Sequence, residues 1–319
     1  MIKTILFWLE NARVYSAAMT ILSWLVAFLY GLKHNGNPIL GIICLFGILL
    51  VHLATNLIDD YFDYKILTKN NDFINSAQDC KCKYLKTGQA TTKDLKHAIF
   101  IFLILASFIG IFLFFASGYY VALLAIIALL IALIYQPLSL KGLGEIAVII
   151  AYGPLMFEGI YYVMTKTFSF NTFILSIACA FFVNTVLYVH MLMDYDGDEC
   201  SHKTTLCRKF KTKKSALNFI WFFYGLSYLM MISIALKTSN YIYLFTFLTL
   251  PLTIDLYRLL NQYNKDKTKL PTAHFWNLPL ENWDKIKTEE SATFYFLFFY
   301  SRNIVTWFML LCAIAIICK

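Results

Sequence analysis

The sequence predicts an all-α membrane protein with nine transmembrane helices around a central cavity. Of its 319 residues, 60% are hydrophobic and only 14% are charged, whereas soluble domains carry about 25% charged residues. The mean hydropathy of +0.64 points the same way. Apolar runs of spanning length occur throughout the chain, so we expect residues 1–319 to form a single transmembrane domain.

The apolar runs follow one another along the chain and are joined by polar connections. Each run is close to the length of about 20 residues that an α-helix needs to cross the hydrocarbon core. An amphipathic stretch, residues 2–12, precedes the first run and suits a helix in the membrane interface. The predicted spans are 16–33, 38–58, 95–116, 119–136, 143–165, 168–193, 214–236, 241–260 and 293–317.

Lysine and arginine lie mostly on one side of the predicted bundle. They concentrate in the connections after the second, sixth and eighth spans, and the opposite connections hold little beyond Lys33, Lys166 and Lys237. Because basic loops stay in the cytoplasm, the N-terminus is predicted to be cytoplasmic in a multi-pass protein of the cell membrane. Much of the net charge of +8 is then topological, so we expect contacts with membrane lipids and none with nucleic acid.

Two acidic clusters end the second and sixth spans, on the predicted cytoplasmic side. The first acidic cluster is Asn56-Leu-Ile-Asp59-Asp60-Tyr-Phe-Asp63, and the second is Asp194-Tyr-Asp196-Gly-Asp198-Glu199. Carboxylates are costly in hydrocarbon, so an apolar helix that ends in several of them usually has a use for them. Since a basic loop follows each cluster, we predict two related halves around a shared site that opens to the cytoplasm.

Helical spacing places Asn56, Asp60 and Asp63 on one face of the second span, and Asp194 and Asp198 on one face of the sixth. Such oxygen ligands suit Mg²⁺, which binds through a few carboxylates plus substrate phosphates. The sequence therefore predicts a Mg²⁺ site that docks a diphosphate. Its predicted metal ligands are Asp60, Asp63, Asp194 and Asp198. The lysines expected to offset the remaining charge are Lys81, Lys83 and Lys203.

The order of these motifs resembles a known family. Asn56-x3-Asp60-x2-Asp63 and Asp194-x3-Asp198-x4-Lys203-Thr-Thr are similar to the aspartate-rich motifs of the UbiA superfamily of intramembrane prenyltransferases. The segment Tyr135-Gln-Pro-Leu-Ser-Leu-Lys-Gly-Leu-Gly-Glu145, then Tyr152-Gly-Pro154 and Gly159-Ile-Tyr-Tyr-Val163, resembles the MenA branch. That branch prenylates 1,4-dihydroxy-2-naphthoate in menaquinone biosynthesis.

The resemblance implies a UbiA-like fold and the Mg²⁺-dependent transfer of an isoprenyl chain. The donor would be an isoprenyl diphosphate, and the acceptor a dihydroxynaphthoate-like quinone precursor or another small prenyl acceptor. The catalytic residues implied are Asn56, Asp60, Asp63, Asp194, Asp198 and Lys203. The substrate-binding residues proposed beside them are Arg13, Lys81, Lys83, Tyr135, Tyr188 and His190.

These substrate contacts rest on different arguments. Arg13 fits the opening helix of the MenA branch, whereas Tyr135 and Tyr188 are aromatic rings that would shelter an allyl cation by cation–π contact. His190 lies one helical turn before Asp194, where it would serve as an acceptor ligand or a proton relay, or simply pack as a hydrogen-bonded histidine.

One departure from the MenA pattern keeps other functions open. The branch usually has Asn-Asn-x-Arg before its second motif, where this chain has His190-Met-Leu-Met193. A lipid-directed relative that prenylates glycerol phosphate or another acceptor is therefore an alternative. A secondary transporter is a further alternative, but the acids cluster at one face instead of lining a path across the membrane. Elsewhere, Asp255 and Arg258 are predicted to form an intrahelical ion pair, and Arg302 to pair with an acid across the bundle.

Overall fold

The computed structural model describes residues 2–67, 82–139, 141–200 and 205–318, without the side chains of 2–3, 66–67 and 198–200. Throughout these ranges the chain is built of helices and their connections, with no β-strand. The α-helices in chain order are α1 (Ile2–Asn11), α2 (Ala17–Lys33), α3 (Pro38–Leu67), α4 (Lys83–Lys86), α5 (Thr92–Ser117), α6 (Tyr120–Ser139), α7 (Gly144–Ile150), α8 (Met156–Thr165), α9 (Phe170–Met193), α10 (Tyr195–Cys200), α11 (Lys213–Thr238), α12 (Leu250–Tyr263), α13 (Trp283–Ile286) and α14 (Ala292–Ile317).

Nine helical segments of the described chain are long and apolar enough to cross a membrane, which confirms the predicted count. Their bounds agree with the predicted spans to within a few residues at almost every end. The largest difference is in the second span, predicted to end at 58, which continues to Lys65. The first acidic cluster therefore lies within the helix, where hydrogen bonds from other elements satisfy its side chains.

The spans pack so that the first and the last are neighbours. Within the bundle α3 packs along α5, and α9 packs along α11, while α2 contacts both α8 and α14. Because consecutive spans cross in opposite directions, α3 and α9 end at the same side of the bundle. We name this side the acidic end, since both acidic clusters lie there. The central cavity between the helices stays a prediction.

The fifth span is broken by a π-helical turn. Between α7 and α8, the turn Ala151–Leu155 contains Gly153 at φ −104° and ψ −111°, followed by Pro154. Proline lacks the N–H that continues a helix, which accounts for the kink. A Cβ on Gly153 would lie 2.7 Å from the Cβ of Ala180 in α9. Glycine at this position thus allows the kinked span to approach α9 closely. Short π-helical turns are frequent at functional sites.

Two predicted ion pairs are present. Arg258 donates to Asp255 at 2.8 Å within α12, as the spacing predicted. Arg302 donates to Glu281 at 2.6 Å. Glu281 lies in the connection that precedes α14 and not across the bundle, so the predicted kind of partner is right and its predicted place is wrong. A connection at the helix end can bring an acid to Arg302 without burying the charge in hydrocarbon.

Candidate active site

The turn between α1 and α2 brings an arginine to the first acidic cluster. Arg13 adopts the left-handed conformation, φ 58° and ψ 49°, which residues other than glycine adopt only rarely. Its Nη2 donates to the carbonyl of Asn56 at 2.7 Å and to Oδ1 of Asp60 at 2.9 Å, and lies 3.6 Å from Oδ2 of Asp59. Its buried Nε has no hydrogen-bond partner among the described residues. One donor of Arg13 is therefore unsatisfied within the described part of the chain.

Asp60 is almost completely buried, at 3% exposure, and is bonded on both carboxylate oxygens. Oδ1 accepts from Arg13, and Oδ2 accepts from the hydroxyl of Tyr84 at 3.1 Å. The thiol of Cys82 donates to the Asp60 carbonyl at 3.2 Å. A buried carboxylate is stable only when it is paired and hydrogen-bonded. Arg13 and the segment around α4 together meet that requirement.

The ionisation states of these partners suit their roles. Burial raises the pKa of Tyr84, and the neighbouring Asp60 raises it further, so the phenol keeps the proton that it donates. Burial alone would lower the pKa of Arg13, but the carboxylates of Asp60 and Asp59 outweigh it and raise the pKa overall. A half-buried arginine that remains charged suits recognition of a phosphate or a carboxylate.

Helix α1 packs over the first acidic cluster. The rings of Phe7 and Trp8 make edge-on contacts with Tyr84, with centroid distances of 6.0 and 5.8 Å. The sequence predicts α1 as an interfacial helix, and the structure adds that one of its faces packs against α4. This contact holds Tyr84 against Asp60, so α1 helps to position the carboxylate.

The other residues on this face of α3 are also held by side chains from elsewhere. Gln136 in α6 donates to Oδ1 of Asp63 at 2.6 Å, and both residues are buried. The amide nitrogen of Asn56 donates to the Ala12 carbonyl at 2.8 Å and lies 3.2 Å from Nε2 of His52. In the sequence, Gln136 is noticeable only as part of the segment 135–145, and His52 is not among the predicted site residues. The position of His52 one helical turn before Asn56, within an apolar span, was the signal that could have revealed it.

The second acidic cluster is more exposed. Helix α9 ends at Met193, and Asp194 follows as its C-cap. Oδ2 of Asp194 lies 3.2 Å from Nε2 of His190, and their side chains are 45% and 41% exposed. A new helix, α10, begins at Tyr195, so the helix that was predicted to place Asp194 and Asp198 on one face is interrupted between them. The side chain of Asp198 lies outside the described residues.

Asp196 is bound by two lysines from different elements. Nζ of Lys213, in α11, lies 2.5 Å from its carboxylate, and Nζ of Lys267, in the connection after α12, lies 2.9 Å away. Burial would raise the pKa of Asp196, but the two lysines lower it overall. Tyr195 beside it donates to the carbonyl of Phe210 at 3.1 Å. These contacts hold α10 against the start of α11 and against the neighbouring connections.

The remaining predicted substrate contacts have different environments. Tyr188 is 0% exposed and donates to the Ala216 carbonyl at 2.7 Å. Because its ring offers no surface to a ligand, we correct its assignment from substrate contact to packing residue. Tyr135 is half-buried at the end of α6, and Lys83 is exposed at the start of α4. Lys81 and Lys203 lie outside the described residues.

The donors of the first acidic cluster fit a magnesium ion, although the described residues do not form a complete site. No group of three His, Cys, Asp or Glu side chains suited to a metal occurs among them. Each carboxylate oxygen of Asp60 and Asp63 has two lone pairs, so a hydrogen bond does not exclude a metal. Mg²⁺ itself needs only one or two protein carboxylates when substrate phosphates supply other ligands.

Comparison with known proteins identifies the family. Residues 18–278 match the UbiA prenyltransferase family, which is most of the chain. The chain belongs to this family. It is therefore a prenyltransferase and a multi-pass membrane protein, as the motifs predicted.

Similar proteins within the family are distant in sequence. The 1,4-dihydroxy-2-naphthoate octaprenyltransferase of Haemophilus influenzae is 25% identical over 213 residues, covering 62% of this chain and 67% of the relative. The enzyme of the same description from Escherichia coli strain K12 is 23% identical over 210 residues, with the same shares of 62% and 67%. A solved structure described for digeranylgeranylglyceryl phosphate synthase has a TM-score of 0.63 and 16% identity, covering 99% of this chain and 100% of that one. At that identity the structure shows a shared fold.

Proposed function

We propose that this UbiA-family enzyme transfers an isoprenyl chain from an isoprenyl diphosphate to an aromatic, dihydroxynaphthoate-like acceptor, in a Mg²⁺-dependent reaction of menaquinone biosynthesis. The named relatives with detectable sequence similarity are dihydroxynaphthoate prenyltransferases, which supports an aromatic acceptor. The structure described for digeranylgeranylglyceryl phosphate synthase has a similar fold, which keeps the lipid-directed alternative in view.

The observation that carries the proposal is the pair of half-buried Arg13 and buried Asp60 at the acidic end of α3. Arg13 lies just before the first span with its side chain 23% exposed, and one of its donors remains unsatisfied within the described chain. The planar guanidinium matches the oxygens of a phosphate or a carboxylate. Both kinds of group belong to the proposed substrates: the diphosphate of the donor and the carboxylate of a naphthoate.

Different side chains of the site would bind the diphosphate and stabilise it as the leaving group. Mg²⁺ held by Asp60, Asp63, Asp194 and Asp198 would neutralise charge on the departing diphosphate. Tyr84 and Gln136 orient the carboxylates of Asp60 and Asp63 before substrate arrives, so little reorganisation is needed during the reaction. Lys81, Lys83 and Lys203 would add positive charge at the diphosphate, with Asn56 beside it.

An apolar groove offers a place for the isoprenyl tail. The groove lies between α2 and α14 and has a volume of about 400 Å³. Its lining residues are Leu25, Leu29, Trp307, Leu310, Leu311, Ala313, Ile314 and Ile317. Leu25 is twelve residues beyond Arg13, about 18 Å along a helix, so a long isoprenoid could reach it from the acidic end. Burial of apolar chain there would contribute to donor affinity.

We also propose that the acidic end faces the cytoplasm. The connections at this end carry most of the lysines, including Lys83, Lys213 and Lys267. The positive-inside rule then places the N-terminus in the cytoplasm of a cell-membrane protein. Water-soluble acceptors and the released diphosphate would enter and leave on that side.

The test uses the purified full chain in detergent with Mg²⁺ and a labelled isoprenyl diphosphate. Dihydroxynaphthoates, hydroxybenzoates and glycerol phosphates are offered as acceptors, and products are read by mass spectrometry. We expect a prenylated naphthoate, and loss of diphosphate release in Asp60→Asn and Asp198→Asn. Asp284→Asn is the matched control, because that carboxylate is 95% exposed in a connection.

Each other outcome has a definite meaning. Normal diphosphate release by both variants would contradict the proposed metal site. Prenylation of a glycerol phosphate, with no prenylated arene, would replace the proposal with the lipid-directed alternative.

A further inference from the structure

Three side chains from three separate segments meet inside the membrane-spanning part of the molecule. Thr20 lies in α2, His52 in α3 and Tyr152 in the π-helical turn. Oγ1 of Thr20 lies 3.1 Å from Nδ1 of His52 and 3.2 Å from the hydroxyl of Tyr152. The Tyr152 hydroxyl lies 3.2 Å from the same nitrogen. We name this cluster the polar triangle, and polar groups at such depth usually mark a substrate path.

The position of the polar triangle follows from helix geometry. His52 precedes Asn56 by four residues and Asp60 by eight, so all three lie near one face of α3. The imidazole is therefore about 6 Å deeper than Asn56 and about 12 Å deeper than Asp60. A donor diphosphate at the acidic end would place its scissile C–O bond just below the carboxylates. The ring of an acceptor must lie beside that bond, which is the level of Asn56 and the triangle.

The imidazole of His52 is fixed in orientation by its other nitrogen. Nε2 lies 2.9 Å from the hydroxyl of Ser16 and 3.2 Å from the amide nitrogen of Asn56. Held in this way, Nδ1 must point toward Thr20 and Tyr152. Thr20 is completely buried, whereas His52 and Tyr152 each keep some exposed surface. A ligand would therefore approach the triangle from the side of His52 and Tyr152.

The polar triangle can act as donor or acceptor toward a fourth group. When Nδ1 carries the proton, the three members hold three donors, and one hydroxyl hydrogen has no acceptor left within the triangle. When Nδ1 is unprotonated, both hydroxyl hydrogens are used inside the triangle, and oxygen lone pairs remain available. A ligand hydroxyl is the group that complements both arrangements, because it donates and accepts. A carboxylate, which only accepts, suits Arg13 better.

We infer that the polar triangle is a specificity-determining subsite that receives a ring hydroxyl of the aromatic acceptor. The inference rests on the proposed function and assigns the side chains that recognise a ring hydroxyl of its acceptor. Thr20, His52 and Tyr152 bind this hydroxyl and orient the ring toward the donor. An acceptor that lacks the hydroxyl leaves a polar group of the triangle unpaired, which weakens its binding.

The test measures binding of acceptor analogues through competition. The full-length enzyme prenylates 1,4-dihydroxy-2-naphthoate while 1-hydroxy-2-naphthoate, 4-hydroxy-2-naphthoate or 2-naphthoate competes, and inhibition constants are determined. In the wild-type enzyme we expect at least one hydroxylated analogue to bind about tenfold more tightly than 2-naphthoate, the size of one hydrogen bond. Tyr152→Phe should reduce this advantage to threefold or less, without changing the inhibition constant of 2-naphthoate.

Two further variants separate specificity from folding. We call the ratio of the inhibition constants of 2-naphthoate and the hydroxylated analogue the hydroxyl advantage. His52→Gln keeps one donor and one acceptor, so it should retain more of the hydroxyl advantage than His52→Leu. Tyr228→Phe is the matched control, because Tyr228 also bonds a threonine hydroxyl, Thr249 at 2.8 Å, within the spans but on α11. It should leave the hydroxyl advantage at the wild-type value.

The unfavourable outcomes are distinguishable. If the wild-type enzyme makes no prenylated naphthoate, the proposed function fails and the inference fails with it. If product forms but Tyr152→Phe keeps the full hydroxyl advantage, only the inference is overturned. Equal weakening of all three analogues would also overturn it, because that result assigns Tyr152 a structural role.

Discussion

The two acidic clusters have similar sequences but opposite surroundings. In the first cluster Asp60 is 3% exposed, and an arginine and a tyrosine bind its carboxylate. In the second, the side chain of Asp194 is 45% exposed, and Nε2 of His190 lies 3.2 Å from its carboxylate. The first cluster lies inside one continuous helix, whereas the second lies where α9 ends and α10 begins.

This difference suggests a division between a fixed and an adjustable half of the site. Asp60 and Asp63 are pre-positioned by Arg13, Tyr84 and Gln136, each from a different element. The side chain of Asp194 is instead 45% exposed to solvent. Substitutions in the first cluster should therefore affect folding and activity together, while those in the second should affect activity alone.

The largest expected effect comes from Asp60→Asn. The substitution leaves the half-buried guanidinium of Arg13 beside a neutral amide, with Asp59 as its remaining carboxylate partner, so the free energy of unfolding should fall by about 2 kcal/mol. Diphosphate release should be lost as well. Unfolding in a denaturing-detergent titration measures the first effect, and labelled-diphosphate release the second.

Asp194→Asn sharpens the comparison as the matched change in the exposed cluster. It should also abolish diphosphate release but change the free energy of unfolding by less than about 0.5 kcal/mol, because solvent screens its partner. Equal destabilisation by both variants would show that the clusters do not differ in rigidity.

The pairing of Arg13 with Asp60 can be broken from its other side. Arg13→Gln alone leaves a buried carboxylate unpaired and should destabilise the protein. The double variant Arg13→Gln, Asp60→Asn removes both charges and should recover about 2 kcal/mol relative to the sum of the single effects. Strictly additive single effects in the unfolding titration would indicate that the two side chains do not interact.

Tyr84→Phe removes one hydrogen bond and keeps the ring. Because the bond is to a charged carboxylate, its loss should cost about 1.5 kcal/mol of unfolding free energy. Aromatic contacts with Phe7 and Trp8 should persist, so the near-ultraviolet circular dichroism should change little. Tyr61→Phe, on the same side of the bundle but stacked near Lys65 and Lys96, serves as the control. An equally large loss of unfolding free energy in Tyr61→Phe would mean that the hydrogen bond from Tyr84 to Asp60 has no particular importance for stability.

The smallest effect is expected at Asp196. Its folded-state pKa lies below the ordinary value of 3.8 because of Lys213 and Lys267. The ion pairs therefore contribute stability above that value, and the contribution is lost as the pH falls through the lower folded pKa. Since the side chain is 45% exposed, Asp196→Asn should cost less than about 0.5 kcal/mol near neutral pH. Unfolding titrations at several pH values and at high salt check the prediction. A stability difference between wild type and Asp196→Asn that grows from neutral pH toward pH 8 would refute it.

Some residues of the site could be predicted from the sequence and others could not. The acids at 56–63 and 194–199 were found because several charged residues at the end of an apolar run stand out. Tyr188 was misjudged because an aromatic residue on an apolar helix reads the same whether it lines a cavity or packs in the core. His52 is not among the predicted residues because the only sign of its role in the sequence is its position one helical turn before Asn56.

The sequence by itself determined the nine spans, the side on which the basic residues collect and the two acidic clusters. These features are local, since length, hydropathy and charge can be counted along the chain. Only the tertiary structure decided which side chains meet. Asp60 binds Arg13 from 47 residues away and Tyr84 from 24, while Asp63 binds Gln136 from 73. Such partners come from separate helices, and only the packing of those helices brings them within hydrogen-bond distance.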